Sequence, residues 1–210
     1  MLWMSNITNS RKAVIDDEDL KYVLLCQRGD VDAFEVLVER HQKKMLNIAY
    51  RMMGDYDEAC DVTQEAFVSA YKSIKKFKAE AKFSTWLYRI VVNYSKNRLK
   101  QLNVLAKHEN VSIDDTEANR TDTTWGRQTF TTNSNPGIHM ERREREAHVQ
   151  KCISLLDEEY KEVLVLRDIQ GFSYEEIRNI LKIPDGTVKS RLSRARNALK
   201  DCLTKVIGDL

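Results

Sequence analysis

The sequence contains few residues that interrupt helices. It has only 7 glycines and 2 prolines in 210 residues, and no run of alternating apolar and polar residues that would form a strand. Long segments instead repeat apolar residues with the 3.6-residue period of a helix. Both prolines, Pro136 and Pro184, lie where this periodicity breaks. The sequence therefore predicts an all-α protein.

Residue types that bind metals or carry out catalysis form no recognisable pattern. The four histidines (His41, His108, His139 and His148) have no ligand spacing, and no glycine-rich phosphate loop or nucleophile motif occurs. The four cysteines (Cys26, Cys60, Cys152 and Cys202) include no C-x-x-C pair. We expect them to be reduced thiols that pack as small apolar side chains. These absences argue against an enzyme, a metal site and a cofactor.

Long apolar segments are missing as well. No run approaches the roughly 18 residues that a membrane-spanning helix needs, and no signal-peptide pattern is present. Residues 1–18 are polar and are predicted to form a flexible tail. Together these features predict a cytoplasmic protein with no direct membrane insertion.

Residues 171–199 have the pattern of a helix, a tight turn and a second helix. Ser173 and Glu176 have the spacing of a capping box, which predicts that the first helix begins directly after Ser173. Pro184 cannot continue that helix, because it lacks an N–H donor and its ring clashes with the preceding turn. Asp185 has the side chain of an N-cap for the next helix.

The second helix of this stretch has an apolar face and a polar face. Its apolar residues recur at helical spacing: Val188, Leu192, Ala195 and Leu199. Its other face carries Lys189, Ser190, Arg191, Ser193, Arg194 and Asn197. A solvated helical hairpin is the alternative interpretation. The cap, the short turn and the basic second helix together favour a helix-turn-helix that places side chains in a DNA major groove.

Charge is distributed unevenly along the chain, although the formal net charge is only +2. Between residues 72 and 107 there are ten basic residues and one acid, whereas between residues 157 and 176 there are seven acids and two bases. Residues 182–200 are again basic. Two separate basic segments favour a protein that contacts nucleic acid at two places.

Residues 19–100 are predicted to form an N-terminal helical bundle, with turns at the Gly-Asp pairs 29–30 and 54–55. Residues 77–93 mix aromatic and basic side chains, as single-stranded DNA binding requires. Cations there can follow the phosphates while rings or apolar pockets receive unstacked bases. The helical spacing of Trp86 with its apolar neighbours fits a buried core equally well, so both interpretations stay open for Trp86. Phe77 and Phe83 can likewise serve either purpose.

Residues 101–140 are predicted to be a linker, followed by a four-helix unit over residues 141–210 that includes the helix-turn-helix. The stretch 114–136 is rich in Thr, Asn, Asp and Ser, which is typical of flexible linkers. When fully extended, the predicted linker over residues 101–140 spans roughly 130 Å, at about 3.3 Å per residue. DNA sites two to three helical turns apart are separated by roughly 70–105 Å. The linker can therefore bridge two such sites, and a passive connection is the alternative.

Three motifs in order give the chain a resemblance to a known family. They are DEACDVTQEAF at residues 57–67, FSTWLYRIVVN at residues 83–93, and GFSYEEI with GTVKSRL at residues 171–177 and 186–192. The pattern resembles the extracytoplasmic-function (ECF) group of bacterial RNA polymerase sigma factors, within the sigma-70 family, over residues 19–205. The resemblance implies an alternative sigma factor that carries out no chemistry. It would bind core RNA polymerase, recognise −35 and −10 promoter elements, and promote DNA melting.

The resemblance also implies roles for individual residues. In region 2 (residues 19–100) it implies docking on the β′ clamp helices of polymerase by Asp57, Asp61, Gln64 and Glu65. It implies −10 recognition and melting by Phe77, Lys78, Lys82, Phe83, Trp86, Tyr88, Arg89 and Asn93. In region 4 (residues 141–210) it implies −35 recognition by Thr187, Lys189, Ser190, Arg191, Ser193 and Arg194, with Thr187 and Arg191 better suited to phosphates. The β flap of polymerase and an anti-sigma factor are further implied partners.

A stand-alone helix-turn-helix transcriptional regulator is the alternative function. It explains residues 173–200 but gives no role to the acidic surface at residues 57–65 or to the basic segment 72–107. Binding to core polymerase without DNA distinguishes the two hypotheses. A metal-dependent activity assay tests a third, a nuclease.

Overall fold

The computed structural model describes residues 17–109 and 136–208, and every regular element in these two ranges is helical. The first range contains α1 (Leu20–Gln27), α2 (Asp32–Met53), α3 (Tyr56–Ser73) and α4 (Phe83–Glu109). The second contains α5 (Pro136–Ser154), α6 (Glu158–Leu164), α7 (Tyr174–Leu181) and α8 (Asp185–Gly208). A 3₁₀ turn, Ile74–Lys76, follows α3, and a π-helical turn, Val165–Ile169, follows α6. The prediction of an all-α protein is confirmed.

Local sequence signals set the junction between α2 and α3. Gly54 follows α2 with a φ of 80°, a left-handed conformation that ends the helix and that glycine adopts without a Cβ clash. Asp55 then accepts a hydrogen bond from the backbone N–H of Glu58 at 2.9 Å and caps α3. Helices α2, α3 and α4 can therefore fold back on one another, and they form the N-terminal module together with α1.

Apolar side chains on the facing sides of these helices form the core of the N-terminal module. The largest fully buried ones are Leu37, Met45, Ile48, Met52, Ile74, Phe83 and Leu87. Each side chain of this size contributes about 1.5–3 kcal/mol when it is removed from water. The core thus fixes the positions of α3 and α4, which carry the acidic surface and part of the aromatic and basic segment.

A buried polar network attaches α1 to this core. His41 on α2 has its Nε2 atom 2.7 Å from Oδ2 of Asp19 and its Nδ1 atom 2.9 Å from the hydroxyl of Tyr88. Arg40 lies 3.1 Å from the other carboxylate oxygen of Asp19. Burial acts to raise the pKa of Asp19, but its interactions with His41 and Arg40 outweigh burial and lower that pKa. Burial raises the pKa of Tyr88, whose hydroxyl stays protonated within the core.

The C-terminal module consists of α5 to α8 and contains the predicted capping box. The backbone N–H of Glu176 donates to Oγ of Ser173 at 3.2 Å, and the N–H of Ser173 donates to the Glu176 carboxylate at 2.8 Å. After α7, Lys182 adopts a left-handed conformation with a φ of 59°. Asp185 lies in the first turn of α8 and not before it, and the carbonyl of Pro184 accepts the first helical hydrogen bonds.

The prediction that all four cysteines are reduced is wrong. Cys152 on α5 and Cys202 on α8 form a disulfide, with their Cα atoms 5.8 Å apart. They lie 50 residues apart in the sequence, and the packing of α5 against α8 brings them together. Cys26 and Cys60 are free, and Cys26 is buried. The C-terminal module therefore carries a covalent cross-link between its first and last helices.

Helices extend into the predicted linker from both sides. The predicted boundaries at residues 100 and 141 fall inside α4 and α5, because α4 continues to Glu109 and α5 begins at Pro136. Residues 110–135 of the predicted linker lie outside the described residues, as does the predicted tail apart from residues 17 and 18. Each helix in the described ranges is too short or too polar to span a lipid bilayer.

The two modules are in direct contact. Gln150 of α5 accepts a hydrogen bond from the guanidinium of Arg51 at 3.1 Å and donates to the backbone carbonyl of Arg51 at 3.2 Å. The ring of Phe172, before α7, lies 5.3 Å from the ring of Tyr88, and Nζ of Lys44 lies 4.1 Å from the Phe172 ring centroid. Residues of α2 and α4 thus hold the C-terminal module against the N-terminal one.

Candidate functional site

The outer face of α8 carries a row of exposed polar side chains. Four of the predicted DNA-contacting residues are exposed there: Lys189, Ser190, Ser193 and Arg194. The side chain of Arg194 forms no hydrogen bond or ion pair with any residue that the structure describes. The opposite face of the helix is fixed in the core, where Val188, Leu192 and Ala195 are at most 2% exposed. This arrangement matches a recognition helix whose outer side chains can reach base edges in a major groove.

Thr187 and Arg191, the residues predicted to contact phosphates, are less accessible. Thr187 is partly buried, and its carbonyl accepts a hydrogen bond from the Ser190 hydroxyl at 3.1 Å. Arg191 points towards α6, with its Nη2 atom 2.6 Å from Glu159 and its Nη1 atom 3.3 Å from Glu162. In this arrangement the Arg191 guanidinium is held by carboxylates of its own module.

Glu162 joins the two modules through its buried carboxylate. Its Oε2 atom accepts a hydrogen bond of 2.8 Å from Nζ of Lys96 on α4, while its Oε1 atom lies next to Arg191. Lys96 also lies 3.6 Å from Glu158. Burial raises the pKa of Glu162 despite the two neighbouring cations. The network connects the last helix of the N-terminal module to the recognition helix of the C-terminal one.

The second predicted set of DNA-contacting residues surrounds a short segment, residues 77–82, which we term the connector. Three aromatic rings cluster there, with Phe77 lying 5.8 Å from Phe83 and 5.3 Å from Trp86 between ring centroids. Phe77 and Trp86 are partly exposed, whereas Phe83 is completely buried. Tyr88 is also buried. The cluster therefore has an inner part that belongs to the core and an outer part that a ligand can reach.

Polar side chains flank the accessible rings. Lys78 and Lys82 are exposed on the connector, and Asn93 is exposed further along α4. Arg89 is partly buried, which lowers its pKa, and its Nη2 atom donates to the backbone carbonyl of Asn179 on α7 at 2.7 Å. These cations and rings occupy one continuous region, as binding to an unpaired strand requires.

A cleft of about 660 Å³ separates the connector from α7. Its first wall contains Lys76, Phe77, Lys78, Glu80, Ala81, Lys82, Thr85, Trp86 and Arg89. Its second wall contains four residues of α7 and the turn after it: Glu175, Glu176, Asn179 and Lys182. The mostly basic and aromatic wall of the N-terminal module therefore faces Glu175 and Glu176 of the C-terminal module, with Lys182 beside them. A nucleic-acid strand at the connector would have to occupy this same space.

The residues predicted to bind polymerase lie together on α3. Asp57, Asp61, Gln64 and Glu65 are all exposed. Arg98 on α4 lies 3.1 Å from Glu65 and 3.2 Å from Glu58, and it fixes one edge of this acidic surface. Exposed carboxylates of this kind can pair with basic residues across a protein interface.

The structure also contains an apolar groove beside this surface, which the sequence patterns did not predict. It has a volume of about 880 Å³, lies between α2 and α3, and includes Gln64 in its lining. Its apolar lining residues include Val31, which is 60% exposed, and Val68, which is 46% exposed. A second apolar row on α3 could have predicted this groove. The row consists of Phe67, Val68 and Tyr71 and lies beside a buried row of Val62, Ala66 and Ala70. Apolar surface bordered by charge is typical of protein interfaces.

The sequence matches two family descriptions. Residues 37–103 match Sigma-70 region 2, and residues 147–199 match Sigma-70, region 4. The chain is 37% identical to the RNA polymerase sigma-H factor of Pseudomonas aeruginosa over 193 residues, which cover 92% of this chain and 97% of that protein. It is 36% identical to the ECF RNA polymerase sigma-E factor of Escherichia coli K12, over 86% of this chain and 92% of that protein.

Two solved structures share the fold. CnrH, solved with the cytosolic domain of CnrY, has a TM-score of 0.64 at 24% identity and covers 90% of this chain and 99% of that one. The sigma factor RpoE from Bartonella quintana, solved with the anti-sigma factor NepR, has a TM-score of 0.60 at 21% identity. It covers 83% of this chain and 98% of that one. At these identities the likeness bears on the fold alone.

Proposed function

The chain belongs to the extracytoplasmic-function group of the sigma-70 family and is an alternative sigma factor for transcription initiation, and we propose how its two modules divide that task. Sigma factors of this family are DNA-binding initiation factors, and we expect no catalysis by this chain itself. The observation that carries the proposal is the presence of two separate basic surfaces, on α8 and around the connector. Each lies within a segment that matches one of the two sigma-70 regions.

The C-terminal module reads the −35 element through the exposed face of α8. Arg194 or Lys189 can donate to guanine O6 and N7 in the major groove, while Ser190 and Ser193 can bond to either base edges or phosphates. Thr187 contributes a phosphate contact. Arg191 can do so only after it leaves Glu159 and Glu162.

The N-terminal module reads and melts the −10 element at the connector. Lys78, Lys82 and Arg89 follow the phosphates of the non-template strand, and Phe77 and Trp86 receive an unstacked base, with Asn93 as a polar contact on α4. Phe83 and Tyr88 are buried, so we assign them to the core that supports this surface. The α7 carboxylates face the connector, and the two modules must therefore separate before both DNA elements are bound.

The acidic surface of α3 docks on the β′ clamp helices, and the apolar groove beside it adds area to that interface. Asp57, Asp61, Gln64 and Glu65 supply the polar part of this contact. The C-terminal module contacts the β flap. We further propose an anti-sigma factor as a regulatory partner, since two structures of similar fold were solved with such partners or a partner's cytosolic domain. The protein acts in the cytoplasm, where core polymerase works.

In vitro transcription with core polymerase on a randomised promoter library tests the proposal. We expect transcripts from templates that share two short sequence blocks separated by about two helical turns of DNA. A chain that does not associate with core polymerase, or that starts no transcript from any template, would contradict it.

Charge reversal tests the docking surface separately. Asp61→Lys combined with Glu65→Lys should abolish holoenzyme formation, because like charges brought together at an interface cost several kcal/mol. Binding to core polymerase is measured by native gel or analytical centrifugation. Glu39→Lys combined with Asp201→Lys changes the net charge equally at exposed positions elsewhere and should leave binding intact. Normal holoenzyme formation by the Asp61 and Glu65 variant would show that this surface of α3 is not part of the interface.

A further inference from the structure

We infer that α1 and the residues before it hold the connector in the shape that reads the −10 element, with Gln27 and Asp17 as the positioning residues. The inference rests on the proposed −10 role of the connector. None of the contacts assigned above to DNA or polymerase involves α1. Gln27 of α1 nevertheless bonds to the backbone at the start of the connector, and Asp17, three residues before α1, bonds to the backbone at its end.

Gln27 fixes the start of the connector. It is the last residue of α1, and its Nε2 atom donates hydrogen bonds of 3.0 Å to the backbone carbonyls of both Ile74 and Phe77. A primary amide has two N–H donors, so one side chain can satisfy both carbonyls. Phe77 is the first residue of the connector and carries one of the accessible rings. Its backbone position is thus set by a residue 50 positions earlier in the chain.

Asp17 fixes the end of the connector. Its Oδ2 atom accepts a hydrogen bond of 2.6 Å from the backbone N–H of Phe83, the first residue of α4. That N–H has no partner within the helix, and a carboxylate at a helix N-terminus is also favoured by the helix dipole. The second oxygen of Asp17 accepts from the N–H of Asp19 at 3.1 Å. Asp19 in turn bonds to His41, so Asp17 is anchored to the core.

The connector between these two anchors holds an unfavourable backbone conformation. Ala79 has a φ of 53°, and only one other non-glycine residue in the described ranges, Lys182, has a positive φ. A side chain with a Cβ disfavours this conformation, which persists only where the surroundings impose it. Hydrogen bonds at both ends supply that constraint. Without them the connector would relax, and Phe77, Lys78 and Lys82 would no longer be placed together.

The test measures base discrimination at the −10 element in holoenzyme. A promoter selected with the wild-type chain is transcribed beside a copy with one −10 base changed and a copy with one −35 base changed. The ratio of transcripts from matched and changed templates does not depend on the fraction of protein that is folded. Gln27→Leu keeps the side-chain size and removes both donors. We expect it to lower −10 discrimination about tenfold, because two hydrogen bonds are lost, and to leave −35 discrimination unchanged.

Two matched comparisons separate positioning from general destabilisation. Gln101→Leu makes the same change at an exposed position on α4 and should retain wild-type discrimination at both elements. Asp17→Asn keeps a carbonyl oxygen that can accept from Phe83, so it should retain most of the −10 discrimination that Asp17→Ala loses. Ala79→Gly combined with Gln27→Leu should recover part of the loss, since glycine adopts the positive φ without help.

The outcomes are distinguishable. A Gln27→Leu protein with wild-type −10 discrimination overturns the inference while leaving the proposed function intact. Equal losses at the −10 and −35 elements also overturn it, because they show a general defect. If the wild-type holoenzyme itself shows no base preference at −10, the proposed role of the connector fails, and the inference fails with it.

Discussion

The two proposed DNA surfaces differ in how accessible they are. The outer face of α8 is open, and the side chain of Arg194 has no partner among the described residues. The connector, in contrast, lies across a cleft from Glu175 and Glu176, and Arg89 there bonds to the backbone of α7. The exposed side chains of the proposed −35 surface can therefore bind without rearrangement, although Arg191 must first leave Glu159 and Glu162. The proposed −10 surface becomes fully available only when the modules separate.

The two modules also differ in the interactions that stabilise each of them internally. The C-terminal module has a disulfide that joins α5 to α8. The N-terminal module has only free cysteines and relies on its apolar core and on the buried network around His41. Reducing conditions should therefore affect one module and spare the other.

The largest effect is expected from reduction of the disulfide. Opening the cross-link between Cys152 and Cys202 should lower the free energy of unfolding of the C-terminal module by about 2–4 kcal/mol, because the unfolded chain regains conformational freedom. Calorimetry with and without dithiothreitol should show that only one of two transitions moves. Cys152→Ser combined with Cys202→Ser should unfold like the reduced protein, and dithiothreitol should not shift its transitions. A parallel shift of both transitions would contradict the claim that the disulfide stabilises only the C-terminal module.

A smaller effect is expected from loss of a base contact on the open surface. Arg194→Ala should weaken −35 recognition by about 1–3 kcal/mol, because a bidentate contact to guanine is lost. Transcription from promoters with and without the −35 element measures this, with polymerase binding unchanged. Arg196→Ala is the matched control, since Nε of Arg196 donates to Asp168 at 2.8 Å. If both variants lost −35 recognition equally, the assignment of the outer face would be wrong.

A further prediction concerns the connector, the proposed DNA surface that faces α7 across the cleft. Gln150→Leu removes the hydrogen bonds between α5 and Arg51 without altering either DNA surface, and it should weaken the contact between modules by about 1–2 kcal/mol. Small-angle scattering should report a larger radius of gyration. Binding of single-stranded DNA to the free protein should tighten. An unchanged affinity in an expanded protein would show that α7 does not limit access to the connector.

The smallest effect is expected at the turn of the helix-turn-helix. Lys182 has a φ of 59°, which glycine adopts without a Cβ clash. Lys182→Gly should therefore raise the free energy of unfolding of the C-terminal module by up to about 1 kcal/mol. Thermal unfolding measures this. A destabilised variant would indicate that the lysine side chain contributes more than its backbone strain costs.

Local features of the fold could be predicted from the sequence. The capping box at Ser173 and Glu176 predicted the start of α7, and the Gly-Asp pairs predicted the turns after α1 and α2. These signals work because the interactions join residues within one turn of each other. The exposed row on α8 followed from the same short-range periodicity.

Contacts between distant residues could not be predicted in the same way. The disulfide joins residues 50 positions apart, and Gln27 bonds to carbonyls 47 and 50 positions later. No spacing rule encodes such pairs, because they depend on how whole helices pack. The burial of Phe83 and the ion pairs of Arg191 have the same origin. Both residues carry the right chemistry for DNA, and only tertiary structure shows that their side chains are already engaged.

Site-specific photo-crosslinking in the polymerase–promoter complex tests the division of labour between the modules most directly. A benzophenone side chain placed at Lys78 should crosslink to the non-template strand of the −10 element, and one placed at Ser193 should crosslink to the −35 element. Both positions are exposed, so the label fits without disturbing the core. Crosslinks from both positions to a single element, or to no DNA in an active complex, would contradict the account.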